Sequence, residues 1–594
     1  AASTPRAVLR SFVWTREDSV PGLASMSIEF ASRRAPVYGM RGMVASSQPL
    51  ASEAGMRVLQ QGGTAADACV AAAAALAVTE PCQTGIGGDA FALYYDAATK
   101  QVECLQGCGR SPAGLTLAAV RAHPEMQTDT LKSGEALPPA SALCVTVPGT
   151  AMAWDDAVRR WGKLPLAQVL APAVELAEEG FPMAGSSARL FANQADLLRS
   201  AAKGAPTPFL PNDAAPLPGD IFRNPDLGRT IRRVGELGAL EGFYKGEVAD
   251  AVVAAVQSRG GVLQPEDLAE HASAFVQPAS VSYRGRVRVW ECPPPTQGIT
   301  ALMALQLLEN VDMPPPLSAA AVHAQAEALR FAFADTLQFC ADPAAAGVPP
   351  LESMLSADRA KARWAALFDA QRARVGVEPE SALGAAACAQ TLRAGPDTVY
   401  LNAVDKWGNA CSFIQSNYAG FGTGIVPDGC GFTLQNRGHN FILREGHANC
   451  VAGRKFCFHT IIPGMLTDEQ SGDLVAAFGV MGGFMQPQGH VQVVSALVDH
   501  GLDPQATLDL PRFIIDGVSS ELGPECLAEP RLGVEDGVPA DTLKALEQLG
   551  HAAQLVRGWD RDMFGRGQII KRNAKTGVLC GGTDPRADGA VLAW

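Results

Sequence analysis

The spacing of apolar residues near the N-terminal end predicts two consecutive helices. Apolar residues recur at helical spacing over Ala51–Gln61, and Gly62-Gly63 ends the pattern. Thr64 can then cap a second helix, with Asp67 three residues later as a variant of the capping box. This second helix contains Ala68–Val78, a run of eleven apolar residues. Because a helix that is apolar on all sides belongs in a core, we expect it to be buried.

Short strands flank these helices, and a long helical region follows. Met43–Ser46 predicts a short strand, so regular structure is expected to start near Gly42. Phe91–Tyr95 and Lys100–Leu105 predict a hairpin after a loop at Gly85–Gly88. Five later segments have apolar faces with a period of 3.6 and predict helices: Ala151–Trp161, Leu166–Glu179, Pro265–His271, Ile299–Leu308 and Ala319–Cys340.

The periodicity fades over residues 372–396, and a strand-rich region follows. We expect this stretch to be a mobile surface connection. The elements predicted beyond it are two hairpins and a helix: Thr398–Val404 with Ala410–Ser416, His459–Leu466 with Leu474–Phe478, and the helix His490–Val498. Sheets with helices on their faces predict an α/β fold of four layers, α/β/β/α.

These patterns divide the chain into three parts. Residues 1–40 are expected to be a flexible tail, which has a weak organelle-transit pattern but no apolar segment for secretion. Residues 41–397 form a helix-rich part, and residues 398–594 form a strand-rich part that begins at Thr398.

Composition excludes several classes of function. The 594 residues include 48 Lys and Arg against 61 Asp and Glu, a net charge of −13, and this does not suit binding to nucleic acid or anionic lipid. The longest apolar run is far below the roughly 20 residues that cross a bilayer, so we expect no membrane association. The 14 cysteines include no CxxC pair, which favours a reducing, cytoplasmic location and gives no sign of a metal site or cofactor.

The dipeptide Asp397-Thr398 carries the candidate chemistry. The sequence has four Asp-Thr pairs, so the dipeptide alone has no meaning, but only Thr398 begins a strand directly after a flexible stretch. Attack of its hydroxyl on the Asp397 carbonyl, followed by hydrolysis, would make Thr398 an N-terminus. Its α-amine, with a pKa of about 7.7–8.0, could then accept the proton of its own hydroxyl.

Acyl transfer also requires donors for an oxyanion. The pair Gly482-Gly483 precedes a predicted helix, and glycine N–H groups allow a substrate to approach closely. An ordinary tight turn would explain the same residues, and both interpretations stay open at this level.

The sequence resembles the γ-glutamyltranspeptidases, or glutathione hydrolases, which are self-cleaving N-terminal-nucleophile hydrolases. The resemblance covers about residues 40–590. It is carried by GMVASSQPLASEAGMRVLQQGGTAADA at 42–68, PCQTGIGGDAF at 81–91, PPPTQGITALMALQLLE at 293–309 and DTVYLNAVDKWGNACSFIQSNYAGFGTGIVPDGCGFTLQNRG at 397–438. It implies the four-layer sandwich of that class and no cofactor.

The resemblance also implies roles for individual residues. Cleavage would fall between Asp397 and Thr398, Thr398 would be the nucleophile, Ser416 would hydrogen-bond it, and Gly482 and Gly483 would form the oxyanion hole. The residues implied in substrate binding are Arg110, which would grip a carboxylate, and His459, Thr460, Asn440, Arg437 and Tyr418.

Several of these positions depart from the typical family pattern. The usual Thr-Thr-His start is Thr398-Val399-Tyr400 here, the paired serines fall at His459-Thr460, and the acid that binds the substrate ammonium falls near Asn440, with Arg437 as its neighbour. A neutral Asn and a cation pair more weakly with an ammonium than a carboxylate does. These features resemble the γ-glutamyltranspeptidase-like and cephalosporin-acylase-like branch.

The resulting prediction is a self-processing threonine amidohydrolase that cleaves γ-glutamyl amides such as glutathione. The acyl group would pass to water or to an amine, and the two fragments would stay associated. One alternative is an acylase for glutaryl or other dicarboxylic amides. The other is an unprocessed, inactive family member with a binding role.

Overall fold

Helices enclose two large sheets in the computed structural model, which describes residues 34–127, 136–380, 398–515 and 529–594. The helices in its first part are α1 Pro49–Gln60, α2 Ala65–Thr79, α3 Leu117–Ala122, α4 Thr150–Trp161, α5 Leu166–Glu179, α6 Gly185–Ala202, α7 Pro225–Ala239, α8 Glu247–Gln257 and α9 Pro265–Ala269. Those that follow are α10 Gly298–Leu308, α11 Ala319–Phe339, α12 Leu351–Met354, α13 Ala357–Leu367, α14 Met485–Val498, α15 Pro504–Asp509 and α16 Ala540–Gln548.

The strands before the predicted cleavage site are β1 Val37–Gly39, β2 Met43–Ser46, β3 Asp89–Asp96, β4 Gln101–Gly107, β5 Phe181–Pro182, β6 Ile221–Phe222, β7 Ala274–Val276, β8 Ala279–Tyr283 and β9 Val287–Glu291. Those after it are β10 Val399–Val404, β11 Ala410–Ser416, β12 Gly464–Asp468, β13 Leu474–Met481, β14 Phe513–Ile515, β15 Arg531–Glu535, β16 Ala552–Val556, β17 Arg566–Arg572, β18 Leu579–Thr583 and β19 Ala590–Ala593.

Each large sheet combines strands from both sides of Thr398. One seven-stranded sheet has the order β1-β18-β17-β13-β12-β9-β8, and the other has the order β19-β2-β10-β11-β3-β4-β7. The pairs within both sheets are antiparallel. The two parts of the chain are therefore interleaved strand by strand.

Three apolar layers hold the sheets and helices together. The Ala-rich helix α2, with α1, α4 and α5, packs on the sheet that contains β10 and β11. Helices α10, α11 and α14 pack on the sheet that contains β12 and β13. A third cluster, which includes Tyr400, Ile414 and Met465, lies between the sheets. The predicted α/β/β/α order is confirmed.

Strand β10 shows how the two faces are assigned. Val399, Leu401 and Ala403 belong to the cluster that packs against α2, while Tyr400 and Val404 point between the sheets. This alternation follows from the two-residue period of a strand. Among the described residues, no helix combines the length and the apolar character that crossing a membrane would need.

The structure changes several predicted boundaries. The sheet begins at Val37–Gly39, which pairs with β18, and not near Gly42, so the last residues of the predicted tail belong to the fold. The strand predicted at His459–Leu466 starts at Gly464. Before it, Pro463 has no N–H, and the Ile462 N–H bonds to the Gln486 side chain, so a ladder does not form.

The last predicted helix begins at Met485, before the start at His490 that its apolar pattern predicts. Helix α14 starts at Met485, directly after the glycine pair, and the polar residues of its first turn hide the period from sequence. Pro487 is tolerated there because the first turn has no intrahelical acceptor for its missing N–H. Residues 1–33, most of the connection predicted at 372–396, and Asp397 of the predicted cleavage site lie outside the described residues.

Candidate active site

Thr398 lies at the start of β10, beside the end of β11. Val399 pairs with Gln415 across the two strands, so Ser416 is the next partner in register and faces Thr398. The Thr398 hydroxyl donates a hydrogen bond to Ser416 Oγ at 3.2 Å, and the threonine is only 2 % exposed. The backbone N–H of Tyr418 donates to the same Ser416 oxygen at 2.8 Å. Ser416 is thus held in place and orients the Thr398 hydroxyl.

Asp89 is a central residue of the site that sequence analysis did not single out. It begins β3 and pairs with Ser416 across the sheet. Its carboxylate is fully buried and accepts four hydrogen bonds of 3.0–3.1 Å, from Gly109 N, Gly149 N, Gln435 Nε2 and His459 Nε2. The available signal was an acid directly after Gly87-Gly88 in the 81–91 segment, at the start of a buried strand.

Arg437 lies next to Asp89 and is 1 % exposed. Its Nη1 donates to Thr460 Oγ1 at 2.9 Å, its Nε is 3.9 Å from Asp89 Oδ2, and its guanidinium lies 4.7 Å from the centre of the Tyr418 ring. Burial lowers the pKa of Arg437, and Asp89 opposes that shift. Its Nε and Nη2 have no hydrogen-bond partner within the described chain.

His459 is neutral at physiological pH. Burial, together with the nearby charge of Arg437, lowers its pKa to about 4 despite the hydrogen bond to Asp89. Since Nε2 donates to Asp89, the neutral tautomer leaves Nδ1 as an acceptor, and that atom is buried without a partner among the described residues. The ring centres of His459 and Phe91 are 4.7 Å apart in a T-shaped arrangement.

Asn440 belongs to the same group through its backbone. It ends the short 3₁₀ turn Arg437–Asn440, and its carbonyl accepts from Asn449 Nδ2 at 2.6 Å. Asn449 in turn holds the Phe458 N–H at 3.1 Å, one residue before His459. Both polar atoms of the Asn440 side chain are buried without a partner in the described structure. A second neutral polar group, three residues after Arg437 in the same turn, is therefore left without a partner in the described structure.

The glycine pair forms the turn between β13 and α14. Gly482 has φ 132° and Gly483 has φ 55°, conformations that side chains disfavour. The Gly482 carbonyl accepts from Met485 N at 2.9 Å. Because C=O and N–H point in opposite directions in a trans peptide, the Gly483 N–H is directed away from α14. In the part of the chain that is described, neither glycine N–H bonds to a side chain or loop carbonyl, which suits an oxyanion hole.

Gln297 joins this turn to the His459–Thr460 segment, and sequence analysis did not identify it as a site residue. Its Nε2 donates to the carbonyls of Thr460 at 2.6 Å and Gly483 at 2.9 Å. A continuous series of contacts therefore runs from the hydroxyl of Thr398 to the glycine turn. Its members are Ser416, Asp89, Arg437, Thr460 and Gln297.

Arg110 has different partners from those expected of a substrate-binding residue. Its side chain is 47 % exposed, with Nη1 3.1 Å from Asp342 Oδ2 and the guanidinium 3.7 Å from the centre of the Phe456 ring. No contact joins its guanidinium to Arg437 or Thr398 in the described residues. Its predicted grip on a substrate carboxylate stays a prediction.

One cluster outside this site has residue types that bind metals. His323, Glu327 and His551 are buried with potential ligand atoms within 4.8 Å of one another. His323 Nδ1 and His551 Nε2 are 2.8 Å apart, at hydrogen-bond distance. Glu327 bonds to Arg330 and to the Arg374 N–H. A nearby guanidinium opposes a bound cation, so this cluster is better explained as a support for the chain around residues 369–374.

Comparison with known proteins decides the family. The sequence profile of the family described as Gamma-glutamyltranspeptidase matches residues 51–594. The chain belongs to the γ-glutamyltranspeptidase family. It is therefore a hydrolase or acyltransferase of the N-terminal-nucleophile class, as the resemblance in its sequence predicted.

Its relatives differ in what their names say they act on. A glutathione hydrolase-like YwrD proenzyme of Bacillus subtilis is 34 % identical, over 94 % of this chain and 99 % of the relative. An oxamate amidohydrolase proenzyme of Klebsiella pneumoniae is 30 % identical, over 93 % and 98 %. The crystal structure of a cephalosporin acylase from Bacillus halodurans has a TM-score of 0.82 and 40 % identity, and covers 96 % of this chain and 98 % of its own. Family membership alone thus leaves the acyl group open.

Proposed function

We propose that this protein is a self-processing threonine amidohydrolase that acts on amides whose acyl group ends in a carboxylate. The observation that carries the proposal is the Thr398 hydroxyl, buried at the start of a strand and 3.2 Å from Ser416 Oγ, with the Asp397–Thr398 bond directly before it. The names of its relatives as proenzymes support the same interpretation.

Processing would begin with attack of Thr398 Oγ on the Asp397 carbonyl carbon. The C–N bond breaks as the C–O bond forms, so the acyl group moves from nitrogen to oxygen and leaves a free α-amine. Water then hydrolyses the ester and releases the Asp397 carboxylate. Both sheets contain strands from each fragment, so we expect the fragments to stay associated.

The same oxygen would then attack the substrate amide. The α-amine of Thr398 takes the hydroxyl proton and returns it to the leaving amine, and the acyl group forms an ester with Thr398. The N–H groups of Gly482 and Gly483 would stabilise the oxyanion of each tetrahedral intermediate. Attack by water, or by an amine acceptor, completes the cycle.

The preference for a carboxylate rests on Arg437. Buried N–H groups without partners are costly, and a bound carboxylate could accept from both Nε and Nη2. The neighbouring Asp89 already has four donors, and Asn440 is neutral, so neither is a strong partner for an ammonium. We therefore place dicarboxylic monoamides, such as glutaryl amides, ahead of γ-glutamyl amides. Oxamate, the substrate in one relative's name, is itself a dicarboxylic monoamide.

Cleavage of γ-glutamyl amides is the second candidate. A γ-glutamyl group has the same carbon chain as a glutaryl group with an added ammonium, and His459 Nδ1 offers it a neutral acceptor. The 34 % identical relative named as glutathione hydrolase-like favours this candidate. A cytoplasmic location, expected from cysteine usage, stays a prediction.

Two measurements test the proposal. On a denaturing gel, a chain cut after residue 397 gives fragments of 397 and 197 residues, and Thr398→Ala should remain full length and inactive. Turnover of glutaryl, γ-glutamyl and butyryl anilides should then fall in that order. A persistent full-length band without turnover would favour the inactive alternative, and a γ-glutamyl preference would support the second candidate.

A further inference from the structure

Gln297 makes the contacts expected of a residue that couples substrate binding to catalysis. It directly precedes α10 and is fully buried. Its hydrogen bonds reach two loops, one before β12 and one after β13. One loop carries Thr460, which is bonded to Arg437, and the other carries Gly483. We propose that Gln297 is a positioning residue that aligns the oxyanion turn with the acyl-binding segment. The inference rests on the proposed function of those two loops.

The hydrogen bonds of Gln297 define the orientation of its amide. Two carbonyl oxygens lie at 2.6 and 2.9 Å from the same side-chain atom, so that atom must be the NH₂ group. The Gln297 backbone N–H donates to the His459 carbonyl at 2.9 Å, which fixes the same segment a second time. The residue therefore supplies three donors to the two loops.

Each contact restricts a peptide plane that matters for the site. The Gly483 carbonyl accepts from Gln297 Nε2 at 2.9 Å and, at the longer distance of 3.3 Å, from the Gln486 N–H, while the preceding carbonyl of Gly482 accepts from the Met485 N–H. Together these bonds fix the planes on both sides of Gly483, whose φ of 55° is otherwise easily changed in glycine. On the other side, holding the Thr460 carbonyl restrains the hydroxyl that accepts from Arg437. A shift of Gln297 would move both groups at once.

Gln297→Glu is the sharpest test because it keeps the shape and replaces the donor. An ionised carboxylate would face two carbonyl oxygens, which raises its pKa above the usual value of about 4.3. We expect kcat/KM for the glutaryl anilide to fall roughly 10- to 100-fold at pH 8, less than the roughly 100- to 1000-fold loss on removing an oxyanion donor itself. Protonation would restore one donor, so the deficit relative to wild type should narrow as the pH falls to 5.

Gln306→Glu is the matched control. Gln306 lies on α10, the helix that follows Gln297, and its Nε2 donates to the Leu355 carbonyl at 2.7 Å. The Oε1 atoms of Gln297 and Gln306 are both buried without a partner in the described chain. The substitution therefore imposes the same chemical change away from the site. It should leave kcat/KM within about twofold and give no deficit that depends on pH.

Hydrogen exchange tests the inference independently of activity. In Gln297→Glu, or in Gln297→Met if the glutamate variant does not fold, the amides of residues 459–462 and 482–486 should exchange faster together, and Gln306→Glu should not show this. Unchanged exchange in either segment would overturn the coupling, whether or not the wild type is active. Absence of wild-type turnover would instead contradict the proposed function, and an equal deficit at pH 8 and pH 5 would contradict the donor role.

Discussion

Replacing Arg437 by methionine tests which part of the site selects the acyl group. Methionine retains most of the side-chain volume and removes the guanidinium. Asp89 loses the ion pair with Arg437 at 3.9 Å but keeps its four hydrogen bonds after the change, so its buried carboxylate still has four donors. The Thr460 hydroxyl loses a donor but can rotate to find another partner. We therefore expect a folded and processed protein.

The size of the effect follows from the unpaired atoms. Nε and Nη2 of Arg437 are both buried without partners in the described structure, so they can bind a carboxylate with two parallel hydrogen bonds. A hydrogen bond to a charged group contributes about 1.5–3 kcal/mol. Two bonds from one guanidinium are not additive, so we expect a loss of about 3 kcal/mol in transition-state binding. This corresponds to a decrease of roughly 100-fold in kcat/KM.

The assay compares two substrates that differ only in the terminal carboxylate. With Arg437→Met, kcat/KM for a glutaryl anilide should fall by roughly 100-fold, whereas a butyryl anilide should change by less than about threefold. Arg454→Met is the control, because Arg454 belongs to the same part of the chain but forms an exposed pair with Glu270 at 3.0 Å. It should leave both substrates unaffected.

The result that would refute this reasoning is an equal loss for both anilides. Arg437 would then support the site's structure without binding the acyl carboxylate. If Arg454→Met instead lowered kcat/KM for the glutaryl anilide alone, Arg454 and not Arg437 would recognise the substrate carboxylate.

Three further predictions concern the nucleophile, the oxyanion turn and acid stability. Thr398→Ser keeps the hydroxyl but not the β-methyl that limits its rotamers. The serine variant should therefore process itself and turn over substrate more slowly than wild type, as gel time courses and burst kinetics would show. An inactive serine variant would contradict this prediction. Gly483→Ala, at φ 55°, should lower kcat with little change in KM, and an unchanged kcat would exclude the turn from oxyanion binding. Asp584, whose pKa is lowered to about 2 because Arg512 and Arg586 outweigh its burial, contributes stability above pH 4 that is lost as the pH falls towards 2. The free energy of unfolding, measured with urea, should fall by about 2 kcal/mol over this pH range. This decrease should be absent in Asp584→Asn.

Local signals in the sequence were sufficient for much of the helical framework. Thr64 and Asp67 form the predicted capping box, with bonds of 3.3 and 2.8 Å, and the alanine-rich helix α2 is buried along its whole length. These features depend on residues within one helical turn, so they are visible without the fold. The hairpin of β10 and β11 was predicted for the same reason.

Features that depend on distant contacts were not predictable. The strand expected from His459 fails before Gly464 because Gln297 and Gln486 bind the intervening backbone. Both glutamines lie far away in sequence, and neither changes the apolar pattern of the segment itself. The boundary is therefore set by tertiary structure.

The candidate site likewise combines residues that local sequence signals reveal with residues that only the fold brings together. The proximity of Thr398 and Ser416 could be predicted because they belong to one hairpin and match a known motif. Asp89 was missed because its four donors come from three separate parts of the chain, around residues 109, 149 and 435–459. An isolated acid after two glycines gives no indication of such a set until the fold brings the donors together.

The departures at Arg437 and Asn440 are best understood as a pair. The two residues are the first and last of one 3₁₀ turn, where positions three apart lie on the same side. A carboxylate at position 440, as in the typical family pattern, would compete with a substrate carboxylate for the guanidinium. The neutral amide of Asn440 would leave the Arg437 donors Nε and Nη2, which have no partner in the described structure, available to a substrate carboxylate. Under the proposed function, the two residues together would replace a site for an ammonium by a site for an anion, with Asp89 Oδ2 3.9 Å from Arg437 Nε.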